Sequence, residues 1–192
     1  MTVFAIIGHL ARTDDSFSLN DLPGTGGRMD VLCRCANASL FLSHDLRRDV
    51  ECYLILCGEP AGPKTVKFSG SAVRSLSPDE RSAGALVKKV LGVPCGSEFR
   101  EGAQGIWVRK GGLEQLVTEH AFAVLDENGT DVRGTDTLPE AYLLSDHLNF
   151  TAAEEELTRD LPRYSVGPKC LHADHTITVL HNELDRRGCG WK

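Results

Sequence analysis

Strand-like and helix-like hydrophobic patterns alternate along this whole chain, and that alternation constrains the fold more than any motif does. Val3 to Gly8 is a short apolar run of the kind that fills a buried parallel strand. Breakers follow at Pro23-Gly24 and Gly26-Gly27. Leu32, Cys33, Ala36, Leu40 and Phe41 then recur at three- and four-residue spacing, which predicts a helix. Cys52 to Cys57 and Thr65 to Phe68 read as strands. Ser77-Pro78-Asp79-Glu80 predicts a helix start, with serine as the cap and proline in the first turn, and the helix runs to about Leu91. The glycine-rich segment 92–104 reads as loop, Ile106 to Val108 as strand and Leu113 to Val117 as a short helix. Phe122 to Leu125 is a strand closed by Asn128-Gly129. Tyr142 to Leu144 and Tyr164 to Val166 are short strands flanking a helix over Ala152 to Asp160, and a final helix covers roughly 174–187. Such alternation predicts a single α/β domain over residues 1–192 with a mostly parallel sheet.

Composition narrows the function. No run approaches the roughly 18 apolar residues of a membrane span. Met1 to Leu10 has no basic leader, so it reads as a strand and not as a signal peptide. The 7 cysteines form an odd, scattered set without a CxxC pair. That pattern fits reduced thiols in a cytoplasmic protein better than a disulfide framework or a zinc ribbon. A net charge of -6 argues against a chain coated in nucleic acid. Basic residues nevertheless gather in the first half, including Arg28, Arg34, Arg47, Arg48, Arg74 and Arg81, while acidic residues dominate 126–159. One polyanion-binding face is compatible with that distribution.

Two strand ends are the most informative stretches. Leu143-Leu144-Ser145-Asp146-His147 and Ser165-Val166-Gly167-Pro168-Lys169 each leave a strand directly into polar residues. In open α/β sheets ligands bind beyond the carboxyl ends of the strands, and Gly167 lets a backbone approach a ligand closely. On spacing alone, the alternative is a pair of ordinary strand-to-helix turns. Neither GxGxxG nor GxxxxGK[ST] occurs, which excludes the usual nucleotide fingerprints. His172, His175 and His181 suggest a metal at first sight. On a helix, however, His175 and His181 project about 240° apart, so a structural or RNA-facing role is the better reading. In Ser43-His44-Asp45-Leu46-Arg47-Arg48-Asp49, the paired arginines suit phosphate, and His44 or Asp45 could orient or take a proton. A solvated charged turn would look the same. Asn182 to Arg186 reads equally as a solvated helix end or as a dimer contact.

Several blocks together resemble the TrmY family. They are Leu22-Pro23-Gly24, Gly27-Arg28-Met29-Asp30, Cys33-Arg34-Cys35, Phe41 through Val50, Ser77 through Arg81, Leu171 through His175, and His181 through Arg186. The resemblance implies a SPOUT methyltransferase that N1-methylates the pseudouridine at position 54, in the T-arm loop of tRNA. It also implies an α/β sheet with helices on both faces, a deep trefoil knot at the C-terminus, an obligate homodimer and S-adenosylmethionine as cofactor. Three loops then hold the cofactor, at Leu144 and Ser145, at Ser165, Val166, Gly167 and Leu171, and at Cys189, a pocket wall and not a nucleophile. Ser145 stands where a glycine is common in the class. Residues 1–110 become the RNA-facing half and 120–192 the cofactor half. Asp45, Arg47 and Arg48 are the catalytic candidates; Arg28, Arg34, His44 and Arg81 are the RNA contacts; no metal or membrane is expected. Methylation of another RNA site (ribosomal pseudouridine or a ribose 2′-hydroxyl) and a non-catalytic RNA- or cofactor-binding role are the competing readings.

Overall fold

A computed structural model describes residues 1–188. Its eight strands are β1 (Thr2–Gly8), β2 (Val50–Leu56), β3 (Lys64–Ser69), β4 (Arg100–Ala103), β5 (Ile106–Lys110), β6 (Phe122–Asp131), β7 (Ala141–Ser145) and β8 (Arg163–Ser165). Its five helices are α1 (Met29–Leu40), α2 (Glu80–Leu91), α3 (Leu113–Glu119), α4 (Ala152–Leu157) and α5 (Ala173–Gly188). One sheet holds every strand in the order β4-β5-β3-β2-β1-β7-β6-β8. The pairings β2-β1, β1-β7, β7-β6 and β6-β8 are parallel, and those joining β2, β3, β5 and β4 are antiparallel.

Strand β1 lies at the centre because nothing in it needs water: from Val3 to Gly8 every residue is buried. Its alternate side chains serve two cores. Phe4 and Ile6 join α1, α2 and α5 on one face, while Val3, Ala5 and Ile7 join Leu113 and Leu116 of α3 and the partly buried Phe150 and Leu161 on the other. Helices therefore cover both faces, as expected. From β1 the chain builds outward on one side through β2 and β3, then crosses to the other side, where it lays down β6 and then β7 between β6 and β1. The gap between the carboxyl ends of β1 and β7 is thus a topological switch point, where α/β sheets open a crevice.

Four local expectations are corrected. The cap of α2 is Asp79, whose side chain accepts from the Ser82 N–H at 2.8 Å, and not Ser77. The loop predicted over 92–104 contains β4, a short exposed edge strand with no alternation to betray it. Strand β6 does not stop at Asn128-Gly129 but runs on to Asp131 through a register shift between Leu125 and Thr130. Glycine is required there because a Cβ at 129 would lie 2.6 Å from the Tyr164 backbone nitrogen, so close packing on β8 is the reason, not a turn. Helix α4 ends at Leu157, short of Asp160, and starts in a full capping box between Thr151 and Glu154.

Candidate active site

Beyond the carboxyl ends of β6, β7 and β8 lies a cleft of about 600 Å³, within the range of small-molecule sites. Its floor and walls are turns. The bulge in β6 turns Asp126, Glu127 and Asn128 into it, residues Leu144 to Phe150 form one wall, and Ser165 to Gly167 with Lys169 to Ala173 form the other. Leu144, Ser145, Ser165, Val166, Gly167 and Leu171, read from the sequence as cofactor contacts, all converge on this one cleft. Cys189 lies outside the described residues. A Cβ built on Gly167 meets nothing of the protein within 4 Å, so the space above it is cleft. The Ser165 hydroxyl donates to Gly167 O at 2.7 Å and accepts from Gly167 N–H at 3.2 Å, which fixes that turn. Ser145, in the place of a usual glycine, closes its own turn by donating to Leu148 O.

Sequence reasoning missed the polar framework behind the 144–150 wall. Asp146, 1% exposed in its side chain, accepts from the His9 backbone N–H at 3.0 Å and from the Leu148 N–H at 2.9 Å; its Oδ1 also lies 2.9 Å from His9 Nδ1. His9 Nε2 lies 3.0 Å from Glu154 Oε2, an oxygen that also accepts from Thr151 N–H at 2.7 Å. His9 directly follows β1, Asp146 directly follows β7 and Glu154 lies in the first turn of α4, so three distant segments meet at one imidazole. Burial disfavours the charged ring, but the hydrogen bonds and charges of Asp146 and Glu154 outweigh it and raise its pKa. For Glu154 burial again opposes ionisation, and the Thr151 N–H and His9 overcome it, holding the carboxyl below its usual value. The signal that could have found the cluster was a histidine directly after the first strand, at the end where ligands bind.

The Ser43–Asp49 turn is not brought to the cleft within one chain. It follows α1 and sits at the amino edge of the parallel strands, where Thr2 N–H donates to Asp49 O; at the other end of β1, Asp146 N–H donates to Ile7 O. The run from Thr2 to Ile7, at about 3.3 Å per residue, separates the two edges by roughly 16 Å. Arg47 makes a two-pronged pair with Asp185 of α5 at 2.7 and 2.6 Å, and Arg48 pairs with Asp45 at 2.7 Å and with Gly70 O at 3.2 Å. His44 is exposed. The Leu46 N–H and the Arg48 guanidinium lower the Asp45 pKa. Arg28 is a left-handed residue (φ 64°) at the start of α1, forked onto Asp30 at 3.0 and 3.1 Å. Arg34 bridges Asp30 and Glu80, and Arg81 is exposed beside it at a second, open depression.

Of the three histidines, His181 stands apart from the other two. His181 is buried edge-on against Phe4, and because Nε2 lies 3.0 Å from Ser39 O that nitrogen carries the proton. Burial first, then Arg47, lowers its pKa to about 4. His172 and His175 contact each other edge to face at the start of α5. No group of metal-ligating side chains occurs among the described residues, and no described helix is long and apolar enough to cross a membrane.

The fold matches that of Nep1 from Archaeoglobus fulgidus, solved bound to S-adenosylhomocysteine, with a TM-score of 0.67 at 14% identity over 97% of this chain and 98% of that one. A family model described as "Putative SAM-dependent RNA methyltransferase" matches residues 1–189, and the chain belongs to that family. Proteins named tRNA (pseudouridine(54)-N(1))-methyltransferase are similar to this chain over nearly their whole length. The one from Methanocorpusculum labreanum is 61% identical over 98% of both chains, that from Methanospirillum hungatei 52% over 100% of both, and that from Haloferax volcanii 43% over 98% of both.

Proposed function

We propose that this protein transfers a methyl group from S-adenosylmethionine to N1 of pseudouridine 54 in tRNA. The observation that carries the reading is the 61% identity, over 98% of both chains, to the Methanocorpusculum labreanum protein of that name. The residues fit the cofactor: the turns present backbone groups, Leu144, Val166 and Leu171 are apolar, and the Gly167 position is open. When bound, the cofactor supplies a sulfonium methyl that is already activated, so the protein's main task is alignment. Leu144, Ser145, Ser165, Val166, Gly167 and Leu171 would hold it.

The nucleophilic nitrogen carries a proton that must leave. An Asp45 held below the ordinary carboxylate value is ionised at neutral pH, and this suits it to orient the base as a hydrogen-bond acceptor more than to store a proton. Because its turn lies at the edge opposite the cleft of its own chain, Asp45 can act only if a second copy presents it. The reading therefore includes a homodimer, which sedimentation would register as twice the 20.9 kDa chain. In that dimer residues 1–110 face RNA through Arg28, Arg34, His44, Arg47, Arg48 and Arg81, and residues 120–192 hold the cofactor. A C-terminal trefoil knot is part of the same proposal. It is supported by β6 lying between β7 and β8 and by the return of the chain after β8 to pack α5 on α1. The cytoplasm is the proposed compartment.

Mass spectrometry of nucleosides from tRNA incubated with the protein and cofactor tests the reaction. N1-methylpseudouridine is expected. A methylated ribose, or no methylation of tRNA carrying pseudouridine 54, overturns the assignment.

A further inference from the structure

We propose that His9 is a positioning residue for the methyl donor: its ring, held between Asp146 and Glu154, fixes the 145–150 wall of the cleft against the first turn of α4. The inference rests on the reading that S-adenosylmethionine occupies this cleft. The wall has two sides. One faces the cleft through Ser145 to Phe150; behind it stands the His9 ring, whose side chain is only 9% exposed. Both ring nitrogens face carboxylate oxygens, at 2.9 and 3.0 Å, so both must be donors and the ring is an imidazolium. A neutral ring would set one nitrogen lone pair against a carboxylate and release one arm of the bridge. The wall would then keep its backbone ties, Asp146 N–H to Ile7 O, His9 and Leu148 N–H to the Asp146 carboxylate and the Ser145 hydroxyl to Leu148 O, but lose a side-chain arm of the bridge that joins it through His9 to Glu154 of α4.

The other titratable and charged groups around the bridge are few. His147 Nδ1 approaches the same Asp146 carboxylate at 3.3 Å. Cys57, after β2, has its thiol pushed up to about 11 by burial and by Glu154, Asp146 and Glu114 of α3, so it stays neutral near pH 7. Arg28 feels Asp146 only through its charge. The folded value of His9 lies above the 6.5 of a free imidazole side chain, so the bridge is intact below that value and fails as pH rises through the raised one. On the acid side it persists until the depressed pKa of Glu154 is reached. Cofactor affinity should hold across that window and fall on its alkaline side.

Two measurements on the intact protein test this. Nitrogen-15 NMR of the histidine rings should show His9 protonated at both nitrogens and titrating above 6.5. Calorimetry with S-adenosylhomocysteine should show affinity falling with that same titration. His9→Ala should weaken binding on the order of 10-fold and remove the alkaline fall. Glu154→Gln should lower the ring's titration point, and with the wild-type NMR it decides the matter even if His9→Ala does not fold. A ring titrating at or below 6.5 overturns the proposal, as does a folded His9→Ala that keeps wild-type affinity and pH dependence. A wild-type protein that binds no S-adenosylhomocysteine at any pH overturns instead the cofactor reading beneath it.

Discussion

The two edges of the parallel sheet are built differently. At the carboxyl edge the functional candidates are backbone turns braced from behind by a buried imidazole and two carboxylates, and Asp146 alone receives hydrogen bonds from two backbone N–H groups. At the amino edge they are long side chains in an exposed turn, held by ion pairs such as Arg48 to Asp45. A small ligand needs the first arrangement, because buried hydrogen bonds fix turn geometry to a few tenths of an ångström and exclude water. A polyanion needs the second, since exposed ion pairs contribute little to stability and exchange readily for phosphate. The edges therefore suit different ligands, and substitutions at each should leave the other's binding alone.

The sharpest break comes at Gly167. Because a Cβ there meets no protein atom, Gly167→Val should fold with an unchanged melting temperature while its branches enter the cleft. S-adenosylhomocysteine affinity should fall on the order of 100-fold by calorimetry, while tRNA binding measured without cofactor stays put. Normal cofactor affinity in this variant would remove the cleft as the site.

Next is a contrast in pH between the two buried histidines. His181, behind the amino edge, is neutral when folded, with a pKa of about 4, whereas Asp146 and Glu154 push that of His9 up. Between 6.5 and about 4 the unfolded chain takes up a proton at residue 181 that the folded chain refuses. Stability should thus drop by roughly 3 kcal/mol as pH falls through that window. Urea midpoints followed from pH 7 to 4 measure the slope, and His181→Phe should flatten it. An equal slope in that variant would assign the acid loss to other groups.

How much of this was legible in the sequence follows the range of the interactions. Strands β1, β2 and β7 and helices α1 and α5 were readable because hydrophobic period is a local property of a segment. The cleft turns at Leu144–Ser145 and Ser165–Gly167 were readable because polar residues directly after a buried run mark a strand end. Strand β4 left no trace, since an exposed edge strand pairs on one side and needs no apolar alternation. Asn128-Gly129 misled for a physical reason: the pair commonly signals a turn, yet here the glycine is set by the closeness of β8. The His9 bridge spans 137 and 145 residues of sequence, and the Arg47–Asp185 pair 138. Such partners become neighbours only once the sheet order is known.

The smallest expected effect tests whether the two edges cooperate across a dimer. Asp45 is fully exposed to solvent in its turn and packs against nothing that the fold needs, so Asp45→Ala should barely move the melting temperature. Cofactor affinity should also be unchanged, because the cleft of the same chain is roughly 16 Å away along β1. Turnover with saturating tRNA should nevertheless fall on the order of 10-fold, the loss expected when a group that only orients the base is removed. Mixing Asp45→Ala with Gly167→Val protomers separates the explanations. If a second copy supplies Asp45, the mixed dimer joins the intact cleft of the Asp45→Ala protomer to the intact turn of the Gly167→Val protomer, so one site works and turnover recovers toward half that of the unmodified dimer. If Asp45 acted within its own chain, the intact cleft would keep its damaged turn and the intact turn its blocked cleft, and the mixed dimer would stay as slow as Asp45→Ala. An unchanged rate in the single variant would remove Asp45 from the chemistry and leave the amino edge as a place where RNA rests.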